Sequence, residues 1–302
     1  MGRNIRLQLT CPETSSPRRF FLWPKRLRHG AVVVLLAVAA QLTETVASEQ
    51  HKVSPGQVQA ADYFFADAIS SDYGWGRSLR GWEATSLAIQ ATLAEWQSPL
   101  QMKPALTVRD PSPVELKQFL AQLPGADAGN IQVIYLAAQH TRRGDWQFTG
   151  NGNTEVAWND LLQSTPPLHP FRVVILDICH AAVVATLPVW TEKMAAATTL
   201  LASGPDEYTW ELDFSNRQPV DLPAQFPVAT AWLKRHLPAT WDGRLSYLGL
   251  IWVQAFLQTP HPPQTTNDWQ AFFGRCILES RSFQEEASRQ RASTVSQFPA
   301  VP

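Results

Sequence analysis

The stretch Phe171-Arg-Val-Val-Ile-Leu-Asp-Ile-Cys-His-Ala-Ala182 decides the fold. Its apolar run, Val173 to Leu176, is short and rich in β-branched residues, and it stops at Asp177, Cys179 and His180. Such a run predicts a strand buried on both faces, as in a parallel sheet. The polar groups then fall where the strand leaves the sheet. In open α/β sheets, ligands bind beyond the carboxyl ends of the strands. A second run, Ile131 to Ala138, ends in Gln139-His140. Two neighbouring parallel strands of this kind bring His140 and Cys179 to one edge, where a thiol and an imidazole make a candidate nucleophile and proton partner.

Outward from these two runs, strand and helix signals alternate. Tyr63 to Ile69 predicts a first strand, and the Ser-, Gly- and Asp-rich residues 70–80 a loop. Apolar spacing from Gly81 to Trp96 predicts a helix. Ala105 to Val108 reads as a short strand. Ser112 followed by Glu115 marks a capped helix start, and that helix runs to about Leu123. Trp146 to Asn153 predicts a turn or hairpin, and Glu155 to Gln163 a short helix. Gly150-Asn-Gly152 lacks the Lys-Ser pair of a phosphate-cradling loop. Pro188 to Ala197 reads as an irregular crossover, with Lys193 a positional candidate for self-cleavage. Thr198 to Ser203 is a further strand, and Phe226–Leu237 and Leu245–Leu257 are apolar helices. Gln258 to Asn267 is Pro- and Thr-rich, a linker, and Ala271 to Leu278 packs back on the domain. The order implies a mostly parallel sheet with helices on both faces. The tryptophans make no ladder along the chain and read as core residues.

The chain has 302 residues, 25 basic and 26 acidic. Seven of the basic residues (Arg3, Arg6, Arg18, Arg19, Lys25, Arg26, Arg28) and two of the acidic ones (Glu13, Glu44) lie in the first 48 residues. The remainder, with 18 basic and 24 acidic residues, is mildly acidic. This argues against non-specific nucleic-acid binding, which needs a basic field. The start itself has the layout of an export signal: Lys25-Arg-Leu-Arg-His29, an apolar core from Ala31 to Ala40, and Thr45-Val-Ala-Ser48 for cleavage. Left uncleaved, residues 31–42 would tether the chain to a membrane, although the core is short for a span of about 20 apolar residues. The expected division is a leader over 1–48, a lead-in over 49–60, one α/β domain over 61–258, an extension over 259–286 and a disordered tail over 287–302. Of the three cysteines, Cys11 is in the leader, and a Cys179–Cys276 bridge would disarm Cys179. The cysteines are too isolated for a four-ligand zinc site, and no acidic cluster resembles a calcium loop.

These blocks resemble those of the caspase-like cysteine peptidases, particularly metacaspases and their bacterial relatives, over roughly Tyr63 to Leu257. One strand of that family ends in a Ser-Gly-His-Gly-like block, here Ala138-Gln139-His140-Thr141, and the next in Asp-x-Cys-His-Ser-Gly, here Asp177 to Ala182. The resemblance implies a three-layer α/β/α sandwich, an endopeptidase activity on protein or peptide substrates, and no cofactor or metal. It assigns Cys179 as nucleophile, His140 as its proton partner, and the backbone N–H groups of Cys179 and Thr141 as oxyanion donors. It places Asp177 in an acidic pocket, which favours cleavage after a basic residue. Asp206, Glu207 and Glu211 follow the next strand and would rim that pocket, with Trp210 as a wall.

Each residue has a plainer alternative. Cys179 is also a small apolar core residue, His140 a structural histidine, and Asp177 a loop cap bonding backbone amides. Thr141 is bulkier than the Gly usual at its position, and Ala181-Ala182 replaces Ser-Gly. These departures support a rival expectation, a catalytically silent caspase-like binding or scaffold module. A third is another thiol hydrolase or acyltransferase on a similar sheet.

Overall fold

A computed structural model describes residues 8–9, 63–73, 80–97, 106–124, 131–141, 143, 145–147, 154–163, 165, 172–194, 197–204, 209–214 and 222–295. In chain order the elements are β1 (Gln8–Leu9), β2 (Tyr63–Ile69), α1 (Gly81–Trp96), β3 (Leu106–Arg109), α2 (Pro113–Gln122), β4 (Ile131–Ala138), β5 (Trp146–Gln147), β6 (Glu155–Val156), α3 (Trp158–Leu162), β7 (Arg172–Ile178), α4 (Ala181–Ala185), α5 (Pro188–Met194), β8 (Thr198–Leu201), β9 (Trp210–Asp213), α6 (Leu222–Gln225), α7 (Pro227–His236), β10 (Arg244–Ser246), α8 (Tyr247–Leu257) and α9 (Thr266–Val295).

Five parallel strands form the central sheet in the order β3-β2-β4-β7-β8. Helices cover both faces, giving the three-layer α/β/α sandwich. Strand side chains alternate between those faces. On one face Tyr63, Phe65, Val133, Tyr135, Val173 and Ile175 pack with residues of α1, α7, α8 and α9. On the other, Ala66, Ile134, Leu136, Val174, Leu176 and Ile178 pack with α2, α3, α4 and α5. The central strands β4 and β7 are buried along their whole length, the signature of a sheet sealed on both sides.

Local chemistry places several boundaries where the sequence predicts them. The Ser112 side chain accepts from the Glu115 N–H while the Glu115 carboxylate accepts from the Ser112 N–H, a complete capping box that starts α2. The polypeptide approaches itself closely where α8 meets α1: a Cβ on Gly249 would stand 2.5 Å from Thr85 Oγ1, so only Gly fits.

Other expectations are corrected. The crossover after Leu187 is helical, since Pro188 opens α5 with its φ preset for a helix. Glu155 and Val156 pair with β5 rather than starting α3. Residues 244–246 form β10, antiparallel to β9, and α8 begins only at Tyr247, capped by the Ser246 hydroxyl. The extension over 259–286 is part of the one core: Trp269, Phe272 and Phe273 of α9 pack among Trp96, Trp252 and Phe256. The Pro-rich connection before α9 is tied to β2 by a Tyr63 hydroxyl bond to the Pro263 carbonyl, 2.8 Å. α9 continues through Val295, past the position where a disordered tail was expected to begin. Most of the leader lies outside the described residues; its Gln8–Leu9 pairs antiparallel with β9. Among the described residues no helix is long and apolar enough to cross a membrane.

Candidate functional site

The register settles which strand ends meet. β4 and β7 are neighbours and parallel, with Ala138 opposite Ile178. Cys179 is the first residue past β7 and His140 the second past β4, so both leave the sheet at its carboxyl edge. β2 also borders β4, and its exit joins the same edge through a Ser70 N–H bond to the Ala137 carbonyl, 2.9 Å.

After Ile178 the chain turns sharply. His180 adopts a left-handed conformation, φ 56° and ψ 32°, and precedes α4. Non-glycine residues pay a steric cost there, and the surroundings must hold them. Ser203, just beyond β8, does so. Its hydroxyl accepts from the Ala181 N–H at 3.0 Å and donates to the Ile178 carbonyl at 2.8 Å. Its own carbonyl accepts from the Ala182 N–H at 3.2 Å. The small side chains of Ala181 and Ala182 fit this tight crossing; both are buried.

Cys179 is fully buried and engaged in a disulfide whose partner lies outside the described residues. Cys276 is a free, buried thiol, so the Cys179–Cys276 bridge is absent. Burial pushes the Cys276 thiol pKa well up.

His140 is also buried, at 2 % exposure. Its ring stacks on Trp158 (centroids 5.8 Å, 15° between planes) and meets Trp146 edge-on (5.3 Å, 67°). The Nδ1 atom lies 3.4 Å from the Ala138 carbonyl oxygen. Burial holds the imidazole pKa down at about 3, opposed by the Ala138 carbonyl and reinforced by the nearby His180. At neutral pH the ring is therefore an uncharged base. The influence of His180 also shows that the β4 exit and the turn after β7 adjoin.

Thr141 is placed differently from its expected role. Its N–H donates to the Asp145 carbonyl at 3.1 Å, closing a small loop whose ends pair as His140 and Trp146. Its hydroxyl accepts from the Asp145 N–H at 3.1 Å. As an oxyanion donor this N–H is already engaged.

Asp177 points to the opposite layer from His140, as the two-residue period of β7 dictates. It is fully buried, with Tyr135 Oη at 2.8 Å and Thr209 Oγ1 at 2.6 Å donating to its two oxygens. The Ser246 and Trp82 side chains also hydrogen-bond it. Burial raises its pKa, and these four donors work against the rise. A carboxylate offers about four acceptor positions, so four donors saturate it. Its surroundings are those of a structural anchor, not of an open pocket for a substrate cation. Glu211 is likewise buried: its carboxylate accepts from the Gly81 N–H at the start of α1, 2.8 Å, and lies 3.5 Å from Arg244 Nη1. Burial raises its pKa. Asp206 and Glu207 lie outside the described residues, as does the side chain of Trp210, whose backbone belongs to β9.

The residues the sequence did not single out are Ser203, Tyr135, Thr209, Ser246, Trp146 and Trp158. Most of them act through a partner far away in sequence, and no local pattern marks such pairs. Among the described residues no group of three or more His, Cys, Asp or Glu side chains is arranged to hold a metal ion. With this geometry in hand, the class that the structure defines is an α/β sandwich with a Cys- and His-bearing carboxyl edge. No protein-family model and no curated protein matches the chain.

Proposed function

We propose that the chain is a thiol peptidase of caspase-like type, held latent while Cys179 is in a disulfide. One observation carries this reading: the Ala138–Ile178 register, which sets His140 and Cys179 past the ends of adjacent parallel strands. Reduction by an added thiol releases the Cys179 sulfur. His140 takes its proton, the thiolate attacks the peptide carbonyl carbon, and a tetrahedral oxyanion forms. Collapse breaks the C–N bond, His140 returns the proton to the leaving amine, and water hydrolyses the thioester. Asp177 serves as an anchor in this reading, so selection of a basic residue is not assigned to it. Export or tethering through residues 31–42 belongs to the proposal on the strength of the leader's sequence alone.

The test compares wild type with Cys179→Ala, each with and without dithiothreitol, on fluorogenic peptides ending in Arg, Lys or Asp. Turnover only by reduced wild type is the expected result. Equal turnover by both proteins removes Cys179 from the mechanism, and cleavage of Asp peptides alone removes any acidic pocket.

A second reading is a silent caspase-like binding module, favoured by the engagement of the Thr141 N–H with Asp145. It predicts that reduced Cys179 reacts with iodoacetamide no faster than Cys276 at any pH.

A further inference from the structure

We infer that Trp146 and Trp158 are positioning residues for His140, holding its imidazole in a mutually packed three-ring cluster so that the ring keeps one orientation. The inference deepens the proposed function, since it rests on His140 as the proton acceptor, but it has its own readout.

The grip is built from three separate elements. Trp158 opens α3 and supplies the stacked face; Trp146 lies in β5 and supplies the edge-on contact. The two indoles brace each other at 5.7 Å and 75°, and Trp190 of α5 backs Trp158 at 5.2 Å and 84°. Offset and T-shaped aromatic contacts of this kind have a preferred geometry, so each ring limits its neighbour's tilt. Trp146 is fixed in addition by its Nε1–H bond to Ser70 Oγ, 3.1 Å, and by the backbone pairing of residue 146 with residue 140. All three indoles are buried. Ser70 is the first residue past β2, so the cluster couples the imidazole to a second strand exit of the same sheet edge.

Two consequences follow from placing an imidazole in such a box. The indoles cover one face and an adjoining flank of the ring, and this burial disfavours the imidazolium form. Trp146, Trp158, Trp190 and Ser70 bring no charge; among the described residues His180 acts on His140 electrostatically, and a positive charge there works in the same direction. The second consequence is orientational: with the ring plane clamped and Nδ1 facing the Ala138 carbonyl, Nε2 is the nitrogen directed away from the strand. Ordinary core packing by the tryptophans would confer stability without setting the titration of one histidine.

The experiment is proton and carbon NMR of the histidine-labelled full-length protein, with the His140 resonance assigned by its loss in His140→Gln. Wild type should show a His140 ring signal displaced by the indole ring currents and not titrating down to about pH 5. Trp158→Leu should move its midpoint upward by about one pH unit or more and reduce the displacement, while Trp158→Phe changes both less. Trp232→Phe, in the opposite layer, should leave both unmoved. A wild-type His140 that titrates near its ordinary value of about 6.5 overturns the inference. So does a folded Trp158→Leu or Trp146→Leu protein in which neither quantity changes. Should the Leu variants fail to fold by near-ultraviolet circular dichroism, wild type and the Phe variants still decide. Failure of peptide cleavage alongside the expected titration defeats the peptidase reading and leaves the grip standing. Cleavage with an ordinary titration does the reverse.

Discussion

His140 and Asp177 are two buried titratable side chains at the same sheet edge, on adjacent strands, and they are solved in opposite ways. His140 sits against bare aromatic surface in the α2–α5 layer. Asp177 sits in a ring of hydroxyl and indole donors in the α1–α8 layer. The difference teaches which protonation state each environment tolerates. An imidazole can shed its proton and become an uncharged group in an apolar box. A carboxylate that keeps its charge must have its acceptor positions filled, and here they are filled by protein rather than left for a ligand. The same strand period that separates the two layers therefore separates an imidazole kept neutral from a carboxyl group enclosed by donors.

The comparison can be broken most decisively at Asp177. Asp177→Ala strands the donors of Tyr135, Thr209, Ser246 and Trp82 in the core, and stability should fall by about 3–5 kcal/mol in urea unfolding. Asp177→Asn, which still accepts from some of them, should lose less. A loss below about 1 kcal/mol for the Ala variant would mean that the carboxylate is not an anchor.

The pH dependence of stability sharpens the contrast, because the two groups act with opposite sign. His140 has a folded pKa of about 3, below its unfolded value. Its contribution is present above the unfolded pKa and is lost as pH falls toward about 3, with a slope approaching about 1.4 kcal/mol per pH unit. Asp177 has a raised folded pKa, so its contribution is present in acid and declines as pH rises through that value. Comparing wild type and His140→Gln by thermal unfolding between those limits should show the acid-side slope flattened in the variant. An unchanged slope would mean that His140 is not neutral in the folded state.

Smaller effects test the turn that carries Cys179. Ser203→Ala removes the hydroxyl joining the Ala181 N–H to the Ile178 carbonyl and should cost about 1–3 kcal/mol. His180→Gly relieves the left-handed conformation and should raise stability by up to about 1 kcal/mol, unless the imidazole contacts outweigh the strain. A clear loss on that change would assign His180 a packing role.

Much of the scaffold was legible because its signals are local. The first strand spans Tyr63 to Ile69 and the His strand Ile131 to Ala138, as their apolar runs predict. Ser112 and Glu115 announce the start of α2 within four residues. The misreadings fall where the partner is distant or the element short. Leu245 and Ser246 look like the start of an apolar helix until β9 pairs with them. Glu155–Val156 pair with β5 and leave α3 too short for a helical period to show. Asp177 was legible as a polar break after a buried run, yet its donors come from β4, the residue before β9, β10 and α1, all remote in sequence.

Periodicity and composition alone determined that this is a sheet buried on both faces, and that its strands end in a histidine and a cysteine. Those features depend only on how each short segment partitions between water and an apolar interior. Tertiary structure alone decided that two tryptophans converge on His140, that the Thr141 N–H turns to Asp145, and that Asp177 is enclosed. Such arrangements are set by long-range packing, where the identity of a neighbour follows from the path of the whole chain rather than from spacing along it.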